Sequence, residues 1–302
     1  MRQIIPLGSI LLSLLSGFVV ASEYDNSIAV IGCGPGGAAF ALTAEKLGLP
    51  ITIYEDKKIT DIDSSSYINV KRYGVDSLAE VEPKLRDMLY SASSNLSPRT
   101  EITNAAGSVL VDVCDPKSIT LRRNQLVTTT LKCIKTPIKY GRIAMGVTQT
   151  ADGVTVEFEG GKTKKHALAV LACGNRIRLL RNDLDVNPDT YVSWIVRYLP
   201  SSLKKDMPDH EICALGGSKH MIFSFPGEIA LIAPYDLSDR SPEELQKIFE
   251  EQGFDPNLTK FISQTIKNKV KNFTIYRTDV AKNWFQGRVV GLGDAVHQCL
   301  SA

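Results

Sequence analysis

The sequence predicts an α/β fold in which a parallel-sheet unit, assembled from both ends of the chain, holds a second, β-rich unit between them. Three observations predict it. The apolar run Ser27-Ile28-Ala29-Val30-Ile31 is followed at once by a glycine turn, a helical stretch and a second β-rich run. Near the other end, Val289-Val290-Gly291-Leu292-Gly293-Asp294 is a short strand closing on a polar turn. Between them lie short β-rich runs and two helical patterns, the mixture expected when a sheet domain is inserted into an α/β domain.

The chain has 302 residues, enough for about two domains with full cores. Hydrophobic residues are 43% and charged ones 23%, which excludes an intrinsically disordered chain. A net charge of +2 leaves no electrostatic footprint for nucleic acid. The six cysteines (Cys33, Cys114, Cys133, Cys173, Cys213, Cys299) are scattered singly, and none of the four histidines has a second at ligand spacing. The pattern therefore points to neither a zinc site nor a dense disulfide framework, and no metal is expected.

Residues 1–22 carry Arg2, an apolar stretch from Ile10 to Val20 and the small residues Ala21 and Ser22. This is the layout of a secretory signal peptide. An uncleaved anchor is the competing reading, but Pro6, Gly8, Ser9, Ser13, Ser16 and Gly17 interrupt the run. The expectation is an exported or membrane-anchored protein, with any membrane association made through 1–22.

The next unit reads β-α-β. Residues 38–47 have Phe40, Thr43, Ala44 and Leu47 at helical spacing, Gly48 and Pro50 stop the helix, and Ile51-Thr52-Ile53-Tyr54 follows as a strand. The turn between holds GxGxxG at Gly32, Gly34 and Gly37, with Pro35 and Gly36 inside it. Gly32 permits the tight turn off the strand, Gly34 lets a pyrophosphate approach the backbone, and Gly37 lets helix and strand pack closely. The helix N-terminus offers free N–H groups to phosphate. Glu55 ends the second strand, where a carboxylate accepts hydrogen bonds from a ribose. A Rossmann-like dinucleotide site is the expectation.

Further along, Asp152-Gly153 opens an alternating run with Val154, Val156 and Phe158 on one face, a hairpin signal. Residues 191–234 read as β runs broken by Pro200, Gly216-Gly217 and Pro226-Gly227. Ser241-Pro242-Glu243-Glu244 is a helix start. Residues 260–270 are read as one amphipathic helix with Phe261, Ile262, Ile266 and Val270 inward.

Taken with the glycine turn, the stretch GRVVGLGDAVH (287–297), preceded by Trp284, resembles the flavoprotein aromatic monooxygenases. The resemblance implies an FAD-binding domain over 23–182 with a return segment over 285–302, and a substrate sheet over 183–284. It implies that Gly32, Gly34, Pro35, Gly36, Gly37 and Glu55 hold the ADP half of FAD and that Gly293-Asp294 meets the ribityl chain. SITLRRNQLVTTTL (118–131) is similar to the family segment in which an arginine precedes a helix over the cofactor; Arg123 is the match and Arg122 the fallback. Residues 67–78 are loosely similar to kynurenine 3-monooxygenase, with Arg72 as counterpart of a substrate-carboxylate arginine. The implied activity is oxygen insertion into an aromatic or related small molecule, with NADPH or NADH as reductant. No catalytic side chain is assigned, since the flavin carries that chemistry.

Two departures qualify the resemblance. Cys173 stands where the family has Asp, and Ile177 where it has Ser, in LAVLACGNRIRLLR, the stretch that touches pyrophosphate and nicotinamide in relatives. The chain also stops soon after Gly293-Asp294, as a C-terminally truncated member would. Two other readings stay open: a flavin-dependent reductase or dehydrogenase without oxygen insertion, and a non-catalytic FAD-binding remnant.

Overall fold

The computed structural model describes residues 25–57, 67–94, 96–174, 191–217, 219–276 and 283–297. The leader expected at 1–22, and Ile177, lie outside these residues. Among the described residues no helix is long and apolar enough to cross a membrane.

The β-α-β unit forms as β1 (Asp25–Ile31), α1 (Pro35–Lys46) and β2 (Ile51–Glu55). Gly48 ends α1 at φ +70°, and its N–H donates to Glu45 O. β1 is central: β2 and β10 (Lys162–Leu171) flank it in parallel, β17 (Val289–Gly291) lies parallel beyond β10, and β7 (Ile138–Tyr140) lies parallel beyond β2. The hairpin β8 (Ala144–Gln149) and β9 (Val154–Phe158) pairs antiparallel with the first half of β10, and β16 (Phe285–Gln286) pairs with β17. Residues 28–31 of β1 are all buried, the consequence of a parallel sheet covered on both faces. On one face α1 and α4 (Arg123–Leu131) pack Phe40, Ala41, Val127 and Leu131 against Val30 and Ile53. At the amino end of the strands, His166 is buried between Ser27 Oγ (2.8 Å from Nδ1) and Tyr54 Oη (3.0 Å from Nε2). Burial lowers its pKa to about 4.

A two-stranded ribbon, β3 (Tyr67–Val70) and β6 (Ile119–Arg122), stands between this sheet and the second one. Its Ile68, Val70, Ile119 and Leu121 face a small core closed by α2 (Arg72–Val81) and α3 (Pro83–Ala92). Residues of opposite parity, Tyr67, Asn69, Thr120 and Arg122, share the other face.

The second sheet has the order β15 (Val270–Tyr276), β11 (Tyr191–Tyr198), β14 (Glu228–Ala233), β13 (Met221–Phe225), β12 (Glu211–Leu215), β4 (Arg99–Asn104), β5 (Val109–Cys114). Its last two strands come from within the stretch expected to serve the first domain: β4 pairs in parallel with β12, so 99–114 extend the second sheet. On one face Ile195, Ile222 and Leu231 pack on Leu245, Phe249, Phe261 and Ile262 of α5 (Pro242–Glu251) and α6 (Pro256–Ser263). Helix α5 starts where the sequence indicates, with Ser241 Oγ accepting from Glu244 N and Glu244 Oε2 accepting from Ser241 N. The helix expected over 260–270 is a correction. Asp255 caps it at Asn257 N, with Pro256 in the first turn, and it ends at Ser263. Ile266 then turns away to give its N–H to Tyr198 O, and Val270 opens β15 instead.

Candidate functional site

All the parallel strands point their carboxyl ends to one edge of the first sheet, and the order reverses at β1, where β2 lies to one side and β10 to the other. Such a reversal leaves a crevice that binds ligands in open α/β sheets. Three chain segments meet there. The glycine turn leaves β1 after Ile31, residues 172–174 leave β10, and residues 292–294 leave β17. Hydrogen bonds lock them in register: Gly32 N to Tyr54 O at 2.8 Å, Ala172 N to Ile31 O at 2.8 Å, and Leu292 N to Leu171 O at 2.9 Å.

Two glycines are required by this packing. Gly32 sits at φ +95°, and a methyl group placed on it would lie 2.5 Å from Ala172 O. A methyl group on Gly37 would collide with Gly32 O and lie 3.1 Å from Ala172 Cβ. Both contacts are with backbone or a packed side chain, so neither position accepts a side chain. Gly34 and Gly36 differ, because their open sides face the crevice. The nearest group to a methyl on Gly34 is Arg123 Nη2 at 3.9 Å, and on Gly36 it is the Leu292 side chain at 3.8 Å. The structure thus brings Gly32, Gly34, Pro35, Gly36, Gly37, Arg123 and the Gly293 turn together. Gly293 adopts φ +62°, and Asp294 begins the short helix α7 (Asp294–His297) directly after it.

Glu55 reaches the same turn. Its Oε2 accepts from Cys33 N at 2.7 Å and its Oε1 from Lys57 N at 3.0 Å. Burial, reinforced by a hydrogen bond that the protonated Glu55 carboxyl donates to Asp56, pushes the Glu55 carboxyl up to about 7. The Cys33 thiol is buried and pushed up to about 12, chiefly by burial, so it is an inert filler of the turn.

The two adjacent arginines diverge. Arg123, the first residue of α4, is exposed and lies beside Gly34. Arg122 turns to the second sheet, where its Nη1 donates to Glu228 Oε2 at 3.0 Å and its guanidinium covers the Tyr67 ring at 4.2 Å. Glu228 is 3% exposed and also accepts Tyr67 N–H on Oε1 at 2.8 Å. Burial raises its pKa, opposed by the Tyr67 N–H and by Arg122. Arg72 is exposed in the first turn of α2.

The strand register puts Glu228 and Phe225 on the same sheet face as Phe223, Ala230, Trp194, Ile232 and Met221. This face is opposite the helices and turns toward the ribbon, since Phe225 packs on Tyr67 with centroids 5.6 Å apart. Trp194 and Phe223 stack at 5.6 Å with rings nearly parallel (5°), giving an aromatic floor. Neither this floor nor Glu228 was singled out by sequence reasoning. The available signal was a lone carboxylate opening the apolar strand Glu228–Ala233.

Cys173 is half-buried in the turn after β10, followed by Gly174 at φ +61°. Among the described residues no cluster of three or more His, Cys, Asp or Glu could hold a metal ion.

No family model matches the chain. It is 21% identical over 299 residues to 6-hydroxynicotinate 3-monooxygenase of Pseudomonas fluorescens, covering 89% of this chain and 76% of that protein. Among solved structures it is similar to Klebsiella pneumoniae HpxO complexed with FAD and uric acid, with a TM-score of 0.69 and 19% identity over 92% of this chain and 76% of that one. It is also similar to FqzB, with a TM-score of 0.76 and 14% identity over 93% of this chain and 72% of that one. The chain therefore has the α/β fold of these proteins, a Rossmann-like domain with an appended sheet domain.

Proposed function

We propose that the protein is an FAD-dependent monooxygenase that inserts oxygen into an aromatic or related small ring, with NADH or NADPH as reductant. The observation that carries this reading is the meeting of the glycine turn, Glu55, Arg123 and the Gly293 turn along one crevice, joined through Arg122 and Tyr67 to the sheet that bears the aromatic pair. The residues fit FAD. Gly34 and Gly36 leave the N-terminus of α1 open to a pyrophosphate, and the Arg123 guanidinium beside them offsets its charge. Glu55 supplies an acceptor for ribose hydroxyls, and the backbone turn at Gly293-Asp294 is read as the ribityl contact.

When bound, FAD would supply the redox and oxygen-activating chemistry. This chain's residues orient and shelter that chemistry. Trp194 and Met221, half-buried beside the buried Phe223 and Ile232, offer an apolar surface against which a flat ring would pack and from which water would be excluded. The ring compounds in the names of two similar proteins, the 6-hydroxynicotinate of a 3-monooxygenase and the uric acid complexed with HpxO, are small and flat, of the kind such a floor accommodates. Cys173, in place of the family's Asp, supplies no carboxylate at the turn after β10, so discrimination between NADH and NADPH falls to other residues.

The test is an absorbance spectrum of the purified protein with mass identification of any released cofactor, then oxygen uptake with NADH or NADPH in the presence of 6-hydroxynicotinate or urate. A yellow protein that releases FAD and consumes oxygen with hydroxylated product supports the proposal. Flavin reduction without oxygenated product would select the reductase reading, and failure to bind added FAD would refute both.

A further inference from the structure

We infer that Glu228, a residue of the second sheet, is a positioning residue for the pyrophosphate contact made by Arg123, acting through Arg122. The inference rests on the FAD reading above. Glu228 is almost wholly buried, yet each carboxylate oxygen has a partner on the ribbon, Tyr67 N–H at 2.8 Å and Arg122 Nη1 at 3.0 Å. A buried carboxylate with two such partners is costly to leave unpaired, so it fixes their positions firmly. Both partners sit at one end of the ribbon, where Tyr67 and Arg122 are paired across the strands. Arg122 is also the residue from which α4 starts: its own N–H donates to Gln125 Oε1 at 2.8 Å, tying the first turn of that helix to the same point.

The next residue is Arg123, whose guanidinium lies beside Gly34. Two adjacent guanidinium groups at one helix start would compete for the same diphosphate. Glu228 resolves that competition by neutralising Arg122 and holding it over the Tyr67 ring, leaving Arg123 as the arginine beside Gly34. Arg123 alone is then presented to the crevice at a fixed angle. The Tyr67 ring packs in turn on Phe225, the residue directly opposite Glu228 in the β13–β14 pair. The sheet that carries the aromatic floor is thereby connected to the cofactor's phosphates through two side chains and one peptide unit.

The experiment is a double-mutant cycle read by FAD titration of the apoprotein, using flavin fluorescence, for the wild type, Glu228→Gln, Arg123→Ala and the pair. Glu228→Gln keeps an acceptor for Tyr67 N–H and removes the charge that holds Arg122. It is expected to weaken FAD binding roughly fivefold to tenfold, and in the Arg123→Ala background to change it by less than about twofold. The same fold loss in both backgrounds, or tighter binding by Glu228→Gln, overturns the inference. Should Glu228→Gln not fold, as circular dichroism would show, the cycle is run with Glu228→Asp, which keeps the charge and retracts it by one methylene; additive losses there overturn it equally. A wild type that binds no FAD overturns the cofactor reading instead, so the two failures are distinct.

Discussion

Glu55 is the residue whose chemistry is most sensitive to its surroundings. Its carboxyl, raised to about 7 by burial and by Asp56, favours the protonated form in the folded apoprotein. Stability from this group is therefore full at acid pH, below the range in which the unfolded carboxylate titrates, and is lost as pH rises through about 7. Thermal melts of the apoprotein should show the wild type losing stability between about pH 4.5 and about pH 7 relative to Glu55→Gln, whose amide does not titrate. Melting curves that shift in parallel for both proteins would remove the assignment. His166 has the opposite sign. Its pKa is lowered to about 4 by burial, so the unfolded chain binds a proton first, and stability falls as pH drops from about 6.5 to about 4. His166→Gln should flatten that acid limb in urea titrations. Arg123, exposed beside Gly34, should weaken FAD binding by more than about tenfold when changed to Ala, as expected for a charge-assisted contact worth roughly 1.5–3 kcal/mol. Equilibrium flavin titration measures it.

At the scale of elements, the β1-α1-β2 unit was legible because each part carries a local signature. The apolar run, the glycines and the stop at Gly48 all act within a few residues, and the structure places them as expected. Gly37→Ala tests the tightest contact. Its added methyl would meet Gly32 O and Ala172 Cβ, prising α1 from β10, and should cost at least about 2 kcal/mol of stability in denaturant unfolding together with FAD binding. A variant of wild-type stability would show that the turn relaxes. The start of α5 was equally legible from Ser241 and Glu244, and Ser241→Ala should cost about 1 kcal/mol while leaving flavin affinity unchanged. The end of α6 was not. Apolar spacing at 261, 262, 266 and 270 fits one helix, yet the Ile266 N–H is taken by Tyr198 O on a strand remote in sequence. Local periodicity contains no trace of that competitor.

Over the whole molecule, what the sequence left unread is what depends on distant pairing. Strand β4 joins β12 in parallel across more than a hundred residues, and Glu228 meets Arg122 across a similar distance. Neither has a local pattern, whereas the convergence of Gly36 and Leu292 could be anticipated because both ends carry their own turn motifs. Because the Glu228–Arg122–Tyr67 seam ties the two sheets, heat should melt the apoprotein in a single calorimetric transition, and saturating FAD should raise its midpoint without splitting it. Two separated transitions would show that the sheets unfold independently. The place of β17 has a further consequence for biosynthesis. A nascent chain emerging from the ribosome acquires the glycine turn well before the strand that completes the crevice's wall. From the synthesis of β10 until that of β17, the edge of β10 at Ala169–Leu171 has no neighbour on that side, which leaves an aggregation-prone sheet edge over that interval.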